Sequence, residues 1–185
     1  PFLGSPPDSI VKILVTAEQI QQSVDKLAAE ICLREQGRPL TVIAVMTGSI
    51  VFLADLIRKL DMPLRVGVVQ TSSYQGTKRG PLKVNSDMMP DIAGRDVLLV
   101  DDIFDTGQTL FEVIAELDQF DPRSIRSAVL LLKRGKQEVP FRPDYIGFEI
   151  PDEFVVGYGL DYLDAFRNLP YLAALEPGDI EGSAP

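Results

Sequence analysis

The sequence predicts an α/β fold built on a mostly parallel sheet flanked by helices. Three observations carry this prediction. Unbroken apolar runs such as Val97-Leu98-Leu99-Val100 suit strands buried on both faces. Between them lie stretches whose apolar residues share one helical side, as Leu110, Val113, Ile114 and Leu117 do. The two kinds of segment alternate along the chain, which is the order of βαβ units. A chain of 185 residues is long enough for one sizeable core and short for two large ones, so residues 1–175 are assigned to a single domain.

Thr16 and Gln19 form a capping box that starts a first helix over residues 17–36. Its Ile20, Val24, Leu27 and Ile31 lie on one face until Gly37 ends it. Leu40–Met46 then reads as a buried strand, residues 50–60 as a helix and residues 65–72 as a strand. Residues 72–81 are polar and glycine-bearing, and such a stretch is expected to be mobile. A strand at 96–102, a helix at 109–120 and a strand near 127–132 complete the alternation. Residues 140–159 predict shorter antiparallel strands broken by Pro143 and Pro151. The acidic, Gly-, Ser- and Pro-containing residues 176–185 read as a flexible tail.

Composition narrows the chemistry. With 45% hydrophobic and 24% charged residues the chain falls in the soluble globular class. No apolar stretch approaches the roughly 18 residues of a membrane span, and no signal segment is evident. The net charge of −9 disfavours nucleic acid and anionic membranes as partners. The single cysteine, Cys32, cannot form an internal disulfide and reads as a small core residue of the first helix, so the expected compartment is cytoplasmic. Histidine is absent. Acid-base chemistry therefore falls to carboxylates, lysine or tyrosine, and any metal should prefer oxygen ligands, as Mg²⁺ or Mn²⁺ does.

The strongest local signal begins at Val97. An apolar strand delivers Asp101 and Asp102, and then the turn Asp105-Thr106-Gly107-Gln108-Thr109 opens a helix. In parallel sheets ligands bind at the carboxyl ends of strands, and a helix amino terminus offers free N–H groups to a phosphate. Thr106 and Thr109 add hydroxyl donors and Gly107 admits close approach of the backbone, so the turn suits a ribose carrying a phosphate. Strand alternation should point Asp101 and Asp102 in opposite directions.

This segment closely resembles the donor-binding motif of the type I phosphoribosyltransferases: four apolar residues, two acids, two variable residues, then Asp-Thr-Gly-x-Thr. The resemblance is to the hypoxanthine-guanine branch and extends over roughly residues 10–175, through Leu131-Leu132-Lys133-Arg134 and residues 143–162. It implies the type I phosphoribosyltransferase fold, with a small hood from about residues 1–15 and 140–175. It also implies 5-phosphoribosyl 1-pyrophosphate and a 6-oxopurine as partners, Mg²⁺ as cofactor, and a homodimer or homotetramer.

The resemblance also implies roles, position by position. Asp105 matches the general base that faces the purine N7. Asp101 matches the carboxylate that takes the ribose hydroxyls, with Asp102 and Asp161 sharing the metal surroundings. Thr106, Gly107, Gln108 and Thr109 match the 5′-phosphate loop. Thr47, Gly48 and Ser49, after the second strand, match the pyrophosphate loop, and Arg167 a further pyrophosphate ligand. The chain departs from many relatives in carrying Thr47 where they carry lysine, which removes an ammonium and leaves backbone donation. Ser73 and Tyr74 match the mobile lid. Lys133 matches the lysine that reads O6 and, having donors only, disfavours adenine. Phe154 would stack on the base and Val155 would meet its edge. The implied reaction is purine salvage, forming a nucleoside 5′-monophosphate and pyrophosphate. The alternatives are a xanthine-preferring or broad 6-oxopurine enzyme, an idle subunit, and a nucleotide-sensing regulator on the same fold.

Overall fold

The computed structural model describes residues 10–72, 83–85 and 87–175. Its order is β1 (Ile10–Val15), α1 (Ala17–Glu35), β2 (Leu40–Met46), α2 (Ile50–Ile57), β3 (Leu64–Ser72), β4 (Lys83–Asn85), β5 (Asp96–Phe104), α3 (Gln108–Asp118), β6 (Ser124–Lys133), β7 (Tyr145–Ile150), β8 (Val155–Val156) and β9 (Leu172–Leu175). The larger sheet has the strand order β4-β3-β2-β5-β6-β7. Strands β3, β2, β5, β6 and β7 are parallel, and β4 lies antiparallel on the β3 edge.

Each central strand feeds two cores because successive side chains leave opposite faces. From β5, Leu98 and Val100 pack with Ile20, Val24 and Phe52 beneath α1 and α2. Val97 and Leu99 pack with Leu110, Val113 and Leu117 of α3. This double burial explains the uninterrupted apolar runs. Strand β2 pairs with β3 on one side and with β5 on the other, so the winding reverses between β2 and β5. Their carboxyl ends border the crevice in which open α/β sheets bind ligands.

The capping box forms: Thr16 Oγ1 accepts from the Gln19 N–H, and Gln19 Oε1 accepts from the Thr16 N–H. Helix α1 ends with Gln36 in the left-handed region, one residue before Gly37. Helices α2 and α3 stop short of the predicted ends because Leu60 and Phe120 close turns bonded to the third residue back. The motif strand runs two residues further than predicted, to Phe104, whose partner is Leu132.

One prediction is corrected. Residues 145–150 are not part of an antiparallel set; β7 runs parallel to β6 in the larger sheet. Pro140 and Pro143 lie in the connection from β6 to β7 rather than breaking strands. That connection is fastened to the end of β5 and the turn that follows it: Phe141 meets Phe104 edge to face, and the Glu138 N–H reaches the Thr106 carbonyl. The second, antiparallel sheet has the order β1-β9-β8 and joins the amino-terminal segment to two later ones, so residues 140–150 do not belong to the hood. The tail at 176–185 lies outside the described residues.

At the far end of β5, buried Asp96 receives Arg123 Nε at 2.9 Å and Ser124 Oγ at 2.7 Å, tying β5 to β6. The Arg123 hydrogen bond holds its carboxyl at about 2, below the ordinary 3.8. Because the folded form titrates lower than the unfolded form, this stabilisation is complete above about pH 4 and fades as the pH falls toward 2. Asp96→Asn is expected to cost on the order of 1–2 kcal/mol near neutral pH, given the exposure of Arg123. Urea unfolding of both proteins at pH 7 and pH 2.5 checks this, since the gap should narrow at the lower pH.

Candidate active site

Asp101 is buried and Asp102 partly so, both still within β5. They do not diverge as alternation predicts. Both line a cavity of about 270 Å³ that also takes in Thr47, Gly48, Thr109 and Arg167. Each carboxylate curls back to accept the N–H of the next residue: Asp102 N donates to Asp101 Oδ1 at 3.0 Å, and Ile103 N donates to Asp102 Oδ1 at 2.8 Å. These bonds override the pleat. Burial holds the Asp101 carboxyl well above the ordinary carboxylate range, and the neighbouring Asp102 charge adds to it. Burial raises Asp102 too, against the opposing pull of its hydrogen bonds and of Arg167.

Past β5 the chain turns through Asp105, Thr106 and Gly107 into α3. Gly107 has φ 86°, and a Cβ there would stand 2.5 Å from both the Phe104 ring and Val139 Cγ2. Only glycine fits this tight, left-handed corner. The cap residue Gly107 has no side chain to offer; Thr106 Oγ1 accepts from the Gln108 N–H at 3.4 Å, and the next N–H groups of the first turn are available to a ligand. A cavity of about 320 Å³ opens here, lined by Asp105, Thr106, Gly107 and Thr109 among others. Gln108 does not line it.

A third cavity, about 220 Å³, lies between Asp105, Lys133, Phe154, Val155 and Asp161. Lys133 is nearly buried at the end of β6, with Nζ 3.4 Å from Asp105 Oδ2 and 3.5 Å from Asp152 Oδ1. Asp105 Oδ1 is buried without a hydrogen-bond partner among the described residues. Phe154 is held edge to face by Tyr162, with centroids 5.4 Å apart, while Val155 is fixed by pairing with Ala174. Gln137 Nε2 donates to the carbonyls of Lys133 and Asp105 and so binds the two segments together.

The loop after β2 brings Gly48 against Asp102. A Cβ on Gly48 would lie 1.7 Å from Asp102 Oδ2, and one on Gly159 would lie 2.2 Å from the Gly48 carbonyl oxygen. The Gly159 segment is anchored by Tyr158, whose hydroxyl donates to Asp55 Oδ2 at 2.6 Å. Ser49 is fully buried with its hydroxyl turned to the Val45 carbonyl, so its side chain is not offered to the cleft. Arg167 contacts Asp161 Oδ1 at 2.8 Å and donates to the Gly159 carbonyl at 2.9 Å. Ser73 and Tyr74 lie outside the described residues.

Sequence reasoning missed Asp152, Lys136 and Gln137 as neighbours of Lys133. An acid in Pro151-Asp152-Glu153 reads as a solvated turn, and no spacing rule joins it to residue 133.

No cluster of three or more His, Cys, Asp or Glu that could hold a metal occurs among the described residues, and Asp161 is engaged by Arg167. Mg²⁺ does not require such a cage. It is commonly held by one or two carboxylates plus substrate phosphates, and two adjoining acids lining one cavity fit that pattern.

Crevice, paired acids and glycine turn lie together at the carboxyl ends of β2 and β5. The model of the phosphoribosyl transferase domain matches residues 11–163. The hypoxanthine-guanine phosphoribosyltransferase of Bacillus subtilis (strain 168) is 37% identical over 174 residues, covering 93% of this chain and 97% of that protein. The bifunctional protein TilS/HprT of Listeria innocua is 36% identical over 92% of this chain, which spans only 26% of that relative's length. Among solved structures, a hypoxanthine-guanine phosphoribosyltransferase of Bacillus anthracis superposes with a TM-score of 0.86 at 37% identity, covering 90% of this chain and 99% of that one. A hypoxanthine phosphoribosyltransferase of Trypanosoma cruzi gives 0.89 at 35% identity, covering 95% and 96%. The chain belongs to the phosphoribosyltransferase family. Within that family its kinship is with the hypoxanthine-guanine enzymes.

Proposed function

We propose that this cleft performs the purine salvage reaction, transferring the 5-phosphoribosyl group of 5-phosphoribosyl 1-pyrophosphate to hypoxanthine or guanine and releasing pyrophosphate. The observation that carries this reading is Asp105 Oδ1, a buried acceptor left unpartnered beside Lys133 and Phe154. A buried oxygen without a donor is costly, and a purine ring N–H is a donor of the right kind.

In this reading the 5′-phosphate rests on the backbone of Thr106, Gly107 and Thr109 at the start of α3, with the hydroxyls of Thr106 and Thr109 donating to it. Gln108 belongs to the same loop, its N–H accepted by Thr106 Oγ1 at 3.4 Å. Asp101 and Asp102 take the ribose hydroxyls. Thr47, Gly48 and Ser49 serve the pyrophosphate through backbone N–H groups, and Arg167 through its guanidinium. The purine stacks on Phe154, its edge meets Val155, and O6 accepts from Lys133. Asp105 takes the N7 proton as a ring nitrogen bonds to C1 and the C1–oxygen bond to pyrophosphate breaks. Asp101 and Asp102, with Asp161 nearby, are the residues that would hold Mg²⁺, whose chemistry when bound is to neutralise the departing pyrophosphate. Ser73 and Tyr74 are assigned to a lid that keeps water from an oxocarbenium-like centre.

The partners are then small molecules. The net charge of −9 argues against nucleic acid, and no helix among the described residues is long and apolar enough to cross a membrane. A cytoplasmic homodimer or homotetramer completes the reading.

Pyrophosphate release by the purified protein, with Mg²⁺ and the donor, tests the proposal. Release is expected with hypoxanthine and guanine and not with adenine. Release with xanthine alone would move the reading to a xanthine enzyme, and donor binding without release to a regulator.

A further inference from the structure

Lys133 is held on two sides, and only one of the two holders lines the base cavity. Asp105 does; Asp152 does not, yet its Oδ1 lies 3.5 Å from Lys133 Nζ. The same Oδ1 receives Lys136 Nζ at 2.8 Å. One carboxylate oxygen is thus shared by two ammonium groups, and Lys136 holds the Asp152 carboxyl below its usual range.

In the proposed chemistry Asp105 Oδ1 takes the purine N7 proton while Oδ2 lies 3.4 Å from Lys133 Nζ, and the transfer leaves that carboxyl uncharged. At that moment the ammonium, in a site where Lys133 is only 8% exposed, exchanges a charged partner for a neutral O6. An ammonium in a buried place is expensive without a counter-charge. Asp152 is the acid that remains in contact.

We propose that Asp152 is a positioning residue for base recognition: it keeps Lys133 charged and aimed at O6 when Asp105 engages N7, and Lys136 fixes Asp152 for that task. This inference rests on the reading of Lys133 as the O6 donor. Without Asp152, Lys133 would collapse onto Asp105, and the incoming base would have to break that pair unaided. Guanine shares O6 with hypoxanthine, so both bases should suffer alike.

Inosine 5′-monophosphate carries no N7 proton, so Asp105 meets it protonated and uncharged, the state in which Asp152 is the charged partner left to Lys133. Calorimetric binding of inosine 5′-monophosphate and of ribose 5-phosphate separates the possibilities, because ribose 5-phosphate shares the phosphate and sugar contacts and lacks the base. Asp152 is about half exposed, with its side chain at 46%, so Asp152→Asn should fold. The variant is expected to weaken inosine 5′-monophosphate about tenfold, which is about 1.4 kcal/mol, with ribose 5-phosphate unchanged. In a Lys133→Met background the same change should add nothing, since its target is gone. Equal loss of both ligands, no loss of either, or an undiminished effect in the Lys133→Met background would each overturn the positioning role. If Lys133→Met alone leaves inosine 5′-monophosphate affinity intact, the O6 reading itself fails, and the Asp152 proposal falls with it.

Discussion

Asparagine in place of Asp105 is expected to lower turnover by about 10²–10⁴-fold, the usual weight of a positioned general base, with affinity for 5-phosphoribosyl 1-pyrophosphate nearly unchanged. The two side chains have the same shape, so packing survives. What changes is the atom facing the base. Oδ1 of the aspartate is buried and unpartnered among the described residues, so a purine N–H would find an acceptor able to take its proton. In the asparagine an amide can present an NH₂ there, donor against donor, and its oxygen is far too weakly basic for the transfer. Lys133 loses one of two counter-charges but keeps Asp152. Donor binding should survive because the 5′-phosphate is assigned to Thr106, Gly107 and Thr109, and asparagine keeps the shape of the Asp105 side chain that lines the same cavity. Steady-state rates together with calorimetric titration of the donor check this. Undiminished turnover would remove the assignment, and equal loss of rate and donor affinity would make Asp105 a structural element of the turn.

Asp105 also illustrates how much of the site could be read from sequence. The strand, the acids and the glycine turn are local in the chain, and local patterns survive folding: Asp96–Phe104 is a strand, Gln108–Asp118 is a helix, and Gly107 sits at the corner between them. The central strands announced themselves because burial on both faces removes polar breaks. Tyr145–Ile150 is harder to read because it lies at the sheet edge, where only its end residues are buried and Ile146, Gly147, Phe148 and Glu149 between them are half-buried or exposed. Prolines in its approach then looked like breaks in a hairpin.

Side-chain commitments were less legible still. The hydroxyl of Ser49 could have faced the cleft or the core, and only the backbone path sends it to the Val45 carbonyl. The pleat predicts opposite directions for Asp101 and Asp102, but both line one cavity, each carboxylate accepting the N–H of the next residue. The pairing of Lys133 with Asp152 joins residues nineteen positions apart, through the β6–β7 connection. Such contacts depend on tertiary placement, and a periodicity argument does not reach them.

Alanine at Gly48 is expected to lower both the rate and the stability of this protein. The new Cβ would stand 1.7 Å from Asp102 Oδ2 and 2.7 Å from Asp102 Cγ, so something must move. Asp102 is a poor candidate, since its other oxygen is pinned by the Ile103 N–H at 2.8 Å. The loop is no freer. On its other side the Gly48 carbonyl lies where a Cβ of Gly159 would come within 2.2 Å, and that segment is fastened through Tyr158 to Asp55. Relief therefore displaces either a carboxylate assigned to the ribose and metal or the N–H groups assigned to pyrophosphate. A shift of about 1 Å in such groups can cost about 10²-fold in rate, and overpacking adds about 1–3 kcal/mol of destabilisation. Gly135→Ala provides the control: its φ is 76° but nothing lies within 4 Å of the added carbon. That change should cost only the left-handed backbone penalty, about 1–2 kcal/mol, and leave the rate alone. Measuring kcat/KM and Tm for both variants decides the matter. If Gly48→Ala and Gly135→Ala lose stability alike and both keep their rates, the close approach of the β2 loop to Asp102 is not what organises the site.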